Sequence, residues 1–379
     1  MENPRIVAIE WGPLEGKRPR MVGSNARLDA HGSNVRVPLV RLTTEDGTSG
    51  FGLAHTDEEK AAGLLGRRFN DVFDAKHGTA IPWQSFDYAL WDLAGQRRKQ
   101  PVYIMAAGLT GVKVTEPLRV PCYDTSLYMD DLHAADNVEG AQLIAREARE
   151  GYERGHRAFK IKIGRGARHM PLEQGIQRDI AIVHAVRKEI GPDLPIMLDA
   201  NNGYNLNIIK HILQETAQDN IFWIEEPFHE DAILYEDLRE WFEARQLPTL
   251  ISDGEGSADP HLLEWARIGL IDVIQYDLFS HGFTSWLATA SQLDRWGARV
   301  APHHYGTHYG NYVGAHLAGA LQNFLYLEWD EATTPGLDAP GYSLQEGLVH
   351  VPHTPGFGLT LDDALFSQAR DEAGFALRL

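Results

Sequence analysis

The chain has 379 residues, 43% of them hydrophobic and 23% charged, which is ordinary for a globular protein and long enough to call for two domains. A formal net charge of −18 argues against general affinity for nucleic acid or anionic membranes, and no run approaches the ~20 apolar residues of a membrane span. The single cysteine, Cys122, permits neither an internal disulfide nor a cysteine-built zinc site. MENPRIVAIEWGP has no basic-then-apolar leader, so a cytoplasmic setting is expected.

In chain order, residues 5–10 and 35–53 read as strands, with a turn at Asp46-Gly47. A helical stretch follows, with Phe86, Leu90, Leu93 and Ala94 at helical spacing and an end near Gly108. Residues 1–115 therefore form one α+β unit. From residue 116 to 345 short apolar strands alternate with amphipathic helices such as GIQRDIAIVHAVRKEI. The strands are VPCYDTS, FKIKI, IMLDAN, FWIEEP, LISDGE, VIQYD, ARVAPHH and FLYLEW. Eight strands separated by helices predict an α/β fold, a (β/α)8-type TIM barrel. Pro355-Gly356 interrupts the tail, and residues 346–379 are expected to return to the first domain.

Active sites of such barrels lie at the C-terminal ends of the strands. Those ends are rich in ionisable groups here: Lys160, Lys162, Asp199, Glu225, Glu226, Asp253, Glu255, Asp277, His303, His304 and Glu328. Side chains two apart on a strand share a face, so Lys160 and Lys162 point the same way. A lone acid more often pairs with a lysine than with a metal. Asp199, Glu225 and Glu255, however, come from successive strands, and three crowded carboxylates repel one another unless a cation joins them. With oxygen donors only, magnesium is the first choice and manganese or calcium the second. Asp253 competes with Glu255 for that role. Two neighbouring ammonium groups near a divalent ion depress each other's pKa, which suits a lysine base. Asp277 and His303 fall on adjacent strand ends, where a carboxylate fixes the tautomer of an imidazole. His304 follows directly, so the catalytic imidazole is one of the two. A zinc cluster of His303, His304 and His308 is a weaker reading than the acid triad.

At these residues the chain resembles the mandelate racemase/muconate lactonizing enzyme branch of the enolase superfamily. WDLAGQRRKQPVY, FKIKIG, LDANNGY, WIEEP, SDGEG, QYDLFSHGFT, APHHYGTHYG and LEW are similar to its successive motifs, in order and along nearly the whole chain. The resemblance implies a capping domain made of residues 1–115 and the tail, set over the barrel. It implies one magnesium ion per subunit on Asp199, Glu225 and Glu255, with Lys162 as base on one substrate face. Lys160 would contact the substrate carboxylate. His303, oriented by Asp277, would act on the opposite face, and a protonated Glu328 would donate a hydrogen bond to that carboxylate. Asn201 and His304 would contact substrate. Residues 15–35, with Ser24, Asn25, Arg27 and His31, resemble a mobile capping loop.

Such a site abstracts the proton α to a carboxylate of a small-molecule substrate. Dehydration of a sugar acid, an aldonate or aldarate, to a 2-keto-3-deoxy acid is the favoured outcome. A rim of His304, Tyr305, His308 and Tyr309 suits a polyhydroxylated ligand. Racemisation or epimerisation is the alternative, ahead of cycloisomerisation and of non-catalytic sugar-acid binding. The resemblance also implies a homo-oligomer.

Overall fold

The computed structural model describes residues 3–379. Strands Ile6–Val22, Gly32–Thr44 and Ser49–Leu53 form an antiparallel meander, and Phe375–Arg378 pairs with the outer edge of the first. The first strand runs well past the expected residue 10. Its inward positions Leu14, Gly16 and Arg18 alternate with exposed Glu15, Lys17 and Pro19, a pattern that its Gly and Pro residues obscure in the sequence. The expected turn is present, with Gly47 at φ 82° and its N–H donating to the Thr44 carbonyl at 2.8 Å.

The expected single helical stretch is two helices, Asp87–Arg98 and Val102–Thr110. Lys99 turns left-handed at φ 53°, and Pro101 then stands just before the second helix, where its missing N–H costs nothing. The first helix lies directly on Ser49–Leu53. A Cβ on Gly50 or Gly52 would come within 2.3 Å of the Leu93 nitrogen or 2.5 Å of the Ala89 nitrogen, so only glycine allows this approach.

The eight expected barrel strands are all present: Arg119–Leu127, Phe159–Lys162, Ile196–Asp199, Ile221–Glu225, Leu250–Asp253, Val273–Ile274, Arg299–Val300 and Leu327–Trp329. Neighbours pair in parallel, the eighth strand pairs with the first, and the bond from Leu325 N–H to the Val300 carbonyl (2.8 Å) links the seventh to the eighth. Asp136, Asn205 and Asp231 cap the helices after the first, third and fourth strands by accepting from backbone N–H groups of the first turn. The eighth strand departs from the simple alternation. Among the described residues the last helix, Asp363–Ala373, packs on Ile6–Val22 rather than on the barrel wall. Helix Val102–Thr110 packs instead against the barrel helices Phe283–Arg295 and Tyr309–Ala318. A hairpin, Ser343–Gln345 with Leu348–His350, extends the sheet beside the first barrel strand.

Inside the barrel Tyr123, Ala158, Met197, Trp223, Val273 and Ala301 form a closed apolar layer. It is the floor of what lies above. Among the described residues no helix is long and apolar enough to cross a membrane.

Candidate active site

Two residues beyond each member of that apolar floor, the same strand face carries Thr125, Lys160, Asp199, Glu225, Gln275 and His303. Glu328 stands in the same relation to Tyr326 on the eighth strand. The strand period thus converts a sealed hydrophobic layer into a ring of polar side chains at the barrel mouth. Lys162 and Asp277 come one step further out, and Glu255 follows the fifth strand.

Oxygens of Asp199, Glu225 and Glu255 all lie within 4.8 Å of one another, the only such metal-capable group of His, Cys, Asp and Glu among the described residues. Lys160 Nζ is 2.6 Å from Glu225, 3.3 Å from Asp199 and 3.5 Å from Glu328. Lys162 pairs with Asp199. Glu225 also accepts from Trp223 Nε1 and Gln275 Nε2, both at 3.1 Å. Burial pushes Glu225 up to about 8, with Asp199 adding to the rise. Glu255 Oε2 is buried without a hydrogen-bond partner among the described residues and lies 3.2 Å from His303 Nε2. Crowded, under-compensated hard oxygens of this kind fit a divalent cation such as magnesium.

Asp253 does not share in this group. It is turned to Tyr235, whose hydroxyl it accepts, and burial pushes its carboxyl up to about 8. The histidine cluster does not form either: among the described residues only Asp199, Glu225 and Glu255 bring metal-capable atoms together.

His303 Nδ1 lies 2.7 Å from Asp277 Oδ1, whose other oxygen accepts the Gly256 N–H at 2.8 Å. The imidazole that meets Asp277 is therefore His303, not His304. Burial lowers His303, but Glu255, Glu328 and Asp277 outweigh it and raise the ring to about 10. The His304 ring is 2% exposed and sits 2.6 Å from the Glu328 backbone carbonyl, turned under the strand rather than into the cleft. This corrects its expected substrate contact. His308 and Tyr309 are likewise buried, so of the expected rim only Tyr305 is partly exposed.

Two expected charge states also change. Glu328 accepts from Thr125 Oγ1 (2.7 Å) and from the N–H groups of His304 (2.6 Å) and Tyr305 (3.0 Å). Burial would raise it, yet Lys160 and the two histidines hold it well below the usual carboxylate range. It is an ionised acceptor, not a protonated donor. For Lys162, burial and Lys160 both lower the pKa, but the Asp199 ion pair outweighs them and the group is raised. The depressed lysine therefore requires Asp199 to be engaged elsewhere. Thr125, Trp223 and Gln275 escaped the sequence reading because none is ionisable, although Trp223 lies two residues before Glu225 and Gln275 two before Asp277.

Asn201 donates to Glu226 at 2.9 Å and Glu255 at 3.2 Å, and its buried Oδ1 has no partner among the described residues. Asn201 (φ 43°) and Glu226 (φ 42°) both hold left-handed backbone just past a ligand carboxylate. The capping loop spans residues 23–31, because residues 15–22 belong to the first strand. Ser24 is buried against Met129, whose N–H donates to the Ser24 carbonyl at 2.9 Å. Arg27 is largely exposed, 3.9 Å from Glu226. His169 Nε2 meets the Asn25 carbonyl at 2.7 Å and Arg168 meets the Arg27 carbonyl, so the second barrel strand's following loop holds the capping loop down.

A family model described as enolase C-terminal domain-like matches residues 143–365. The chain is 44% identical to galacturonate dehydratase from a Geobacillus species, solved with D-galacturonate and 5-keto-4-deoxy-D-galacturonate. That similarity covers 99% of each chain with a TM-score of 0.95. A glutamate-to-alanine variant of the Geobacillus enzyme, solved with Mg, superposes with a TM-score of 0.96 over 99% of this chain and 97% of that one, again at 44% identity. D-galactarolactone cycloisomerase of Agrobacterium fabrum is 28% identical over 86% of this chain and 89% of its own length.

Proposed function

The chain belongs to the mandelate racemase/muconate lactonizing enzyme branch of the enolase superfamily and is a sugar-acid dehydratase; from that premise we propose that it dehydrates a hexuronate such as D-galacturonate. This moves the choice among sugar acids from the expected aldonate or aldarate to a uronate. The support is the 44% identity, over nearly the whole of both chains, to an enzyme solved with that acid and its 5-keto-4-deoxy form. The homo-oligomer belongs to the same proposal and is checked by light scattering.

Asp199, Glu225 and Glu255 are the residues to hold magnesium, which when bound supplies a positive charge opposite the one that develops on the substrate carboxylate. Lys160, ion-paired to two acids, serves as a fixed cation rather than as a base and neutralises that carboxylate. Lys162, its neighbour on the same strand face, takes the proton from the α carbon. The electron pair left behind forms the enol double bond as the β C–O bond breaks. The departing oxygen takes a proton from His303 Nε2 and leaves as water, and the enol tautomerises to the 2-keto acid. In D-galacturonate the α carbon is C5 and the hydroxyl leaves C4.

The observation that carries this reading is the His303–Asp277 pair on the far side of the acid triad from Lys162. Asp277 accepts from Nδ1, so Nε2, which faces Glu255 at 3.2 Å, is the nitrogen that delivers a proton, and the adjacent carboxylate favours the imidazolium. An acid poised in this way can protonate the β-hydroxyl so that it leaves as water. The test is incubation of the magnesium-loaded protein with D-galacturonate in D2O, followed by NMR. One keto-deoxy product with deuterium at the former C4 is expected. Recovery of substrate with inverted, deuterated C5 would instead establish an epimerase.

A further inference from the structure

Each carboxylate of the acid triad has two oxygens, and in all three one of them is already held by N–H donors of the protein. Asp199 Oδ1 accepts the Asn201 backbone N–H at 3.0 Å. Glu255 Oε1 accepts Asn201 Nδ2 at 3.2 Å. Glu225 Oε2 accepts twice, from Trp223 Nε1 and Gln275 Nε2, both at 3.1 Å. The opposite oxygens meet side-chain cations of the cleft instead. Asp199 Oδ2 faces Lys162 and Lys160, Glu225 Oε1 faces Lys160 at 2.6 Å, and Glu255 Oε2 faces His303 at 3.2 Å.

The firmest of these ties is on Glu225. Trp223 belongs to the apolar floor and is fully buried, and Gln275 is 1% exposed. The Gln275 amide is fixed in one orientation, because its Oε1 accepts the buried Ser252 hydroxyl. Turned over, that oxygen would meet the Glu225 carboxylate, acceptor against acceptor. Two donors use both acceptor positions of Glu225 Oε2. Asn201 serves the other two acids together: with its backbone left-handed at φ 43°, its N–H reaches Asp199 while its side chain reaches Glu255 and Glu226.

The consequence is a coordination mode. Glu225 can give an ion only Oε1, and a two-point grip by Asp199 or Glu255 would disturb a hydrogen bond already made. The triad therefore offers three single-point ligands. Magnesium suits them, since it demands near-ideal octahedral geometry at about 2.0–2.1 Å and keeps several positions for water or substrate oxygens. Calcium takes about six to eight oxygens at about 2.3–2.6 Å, and two-point carboxylates are one way it reaches that number.

We propose that Gln275, Trp223 and Asn201 are positioning residues that set the metal choice of this site: by tying off one oxygen of each ligand carboxylate they favour magnesium over the larger calcium ion. The inference rests on Asp199, Glu225 and Glu255 being the magnesium ligands, and not on which sugar acid is dehydrated.

Calorimetric titration of the metal-stripped protein with magnesium chloride and, separately, calcium chloride tests it without any substrate. The proteins are the wild type, Gln275→Met, the double variant Trp223→Phe/Gln275→Met, and Tyr235→Phe, with thermal melts to confirm folding. Tyr235 donates to Asp253, so its loss removes a buried hydrogen bond near the site but frees no ligand oxygen. Gln275→Met should weaken magnesium about tenfold while calcium holds or gains, so the preference for magnesium falls about tenfold or more. The double variant should lose up to about 100-fold of that preference; if it does not fold, Gln275→Met decides alone. Tyr235→Phe should leave the ratio of the two dissociation constants where it was. Crystals grown with calcium should show Glu225 on the ion through one oxygen in the wild type and through two in the double variant, or in Gln275→Met if that variant decides. Equal weakening of both ions in Gln275→Met would reduce Gln275 to a structural role and overturn the proposal, as would a two-point Glu225 in the wild type. A wild type that binds neither ion would strike down the ligand set itself, and the proposal with it.

Discussion

Replacing Asp277 by Asn isolates the proton-donating half of the site. The substitution keeps the shape of the side chain and removes its charge. Asp277 accepts two hydrogen bonds, from His303 Nδ1 at 2.7 Å and Gly256 N–H at 2.8 Å, one on each oxygen. An amide has a single oxygen, so one of the two contacts must go. A hydrogen bond between charged groups contributes about 1.5–3 kcal/mol, and a pKa unit corresponds to roughly 1.4 kcal/mol. The His303 ring, raised to about 10 with Asp277 among the causes, should therefore drop by about 1–2 units. Because the acid form acts and is lost above its pKa, the alkaline limb of kcat should move to lower pH by the same amount. General acid catalysis contributes about 10²–10⁴-fold, so dehydration should slow by about 100-fold or more. In the proposed mechanism Lys162 removes the α proton, so that step should fall less than about tenfold. The assay follows both in D2O: keto-acid formation by absorbance of a semicarbazone, and deuterium in recovered substrate by mass spectrometry. Equal loss of both activities would refute the separation of roles, as would an alkaline limb that stays where it was.

Two further outcomes are expected. Glu255→Gln removes one of three anionic oxygens from the metal-capable group, so magnesium should bind at least about tenfold more weakly by calorimetry and stabilise the fold less against heat. Unchanged affinity would remove Glu255 from the ligand set. His316 is fully buried; its Nδ1 accepts the Tyr103 N–H at 3.1 Å, near the start of helix Val102–Thr110, and its Nε2 lies 2.9 Å from the Tyr342 hydroxyl. Burial lowers its pKa to about 3. The folded value lies below the unfolded one, so this contribution to stability is complete above about pH 6.5 and is lost as pH falls toward 3. By pH 5 the loss is roughly 2 kcal/mol. His316→Phe, which orphans the Tyr103 N–H, should cost about 2 kcal/mol at pH 7.5 and almost nothing at pH 5. Urea melts at the two pH values measure this, and a cost independent of pH would show that the ring is not titrating against the fold.

The amino-acid order alone determined the barrel, its eight strands and the triad Asp199, Glu225 and Glu255, because a strand repeats every two residues and its C-terminal end is marked by where the apolar run stops. The same period held the clue to Thr125, Trp223 and Gln275, but nothing in their chemistry separates a neutral polar or aromatic residue from core. Tertiary structure decided the rest. Arg18 and Asp330 meet across 312 residues of chain, the His304 ring turns under the eighth strand, and Glu328 is ionised because three donors and Lys160 converge on it. Charge state and side-chain direction belong to neighbours that local pattern does not name. A carboxyl with no cation beside it and one ringed by donors read alike in a sequence, and only the packing of distant strands makes them different groups.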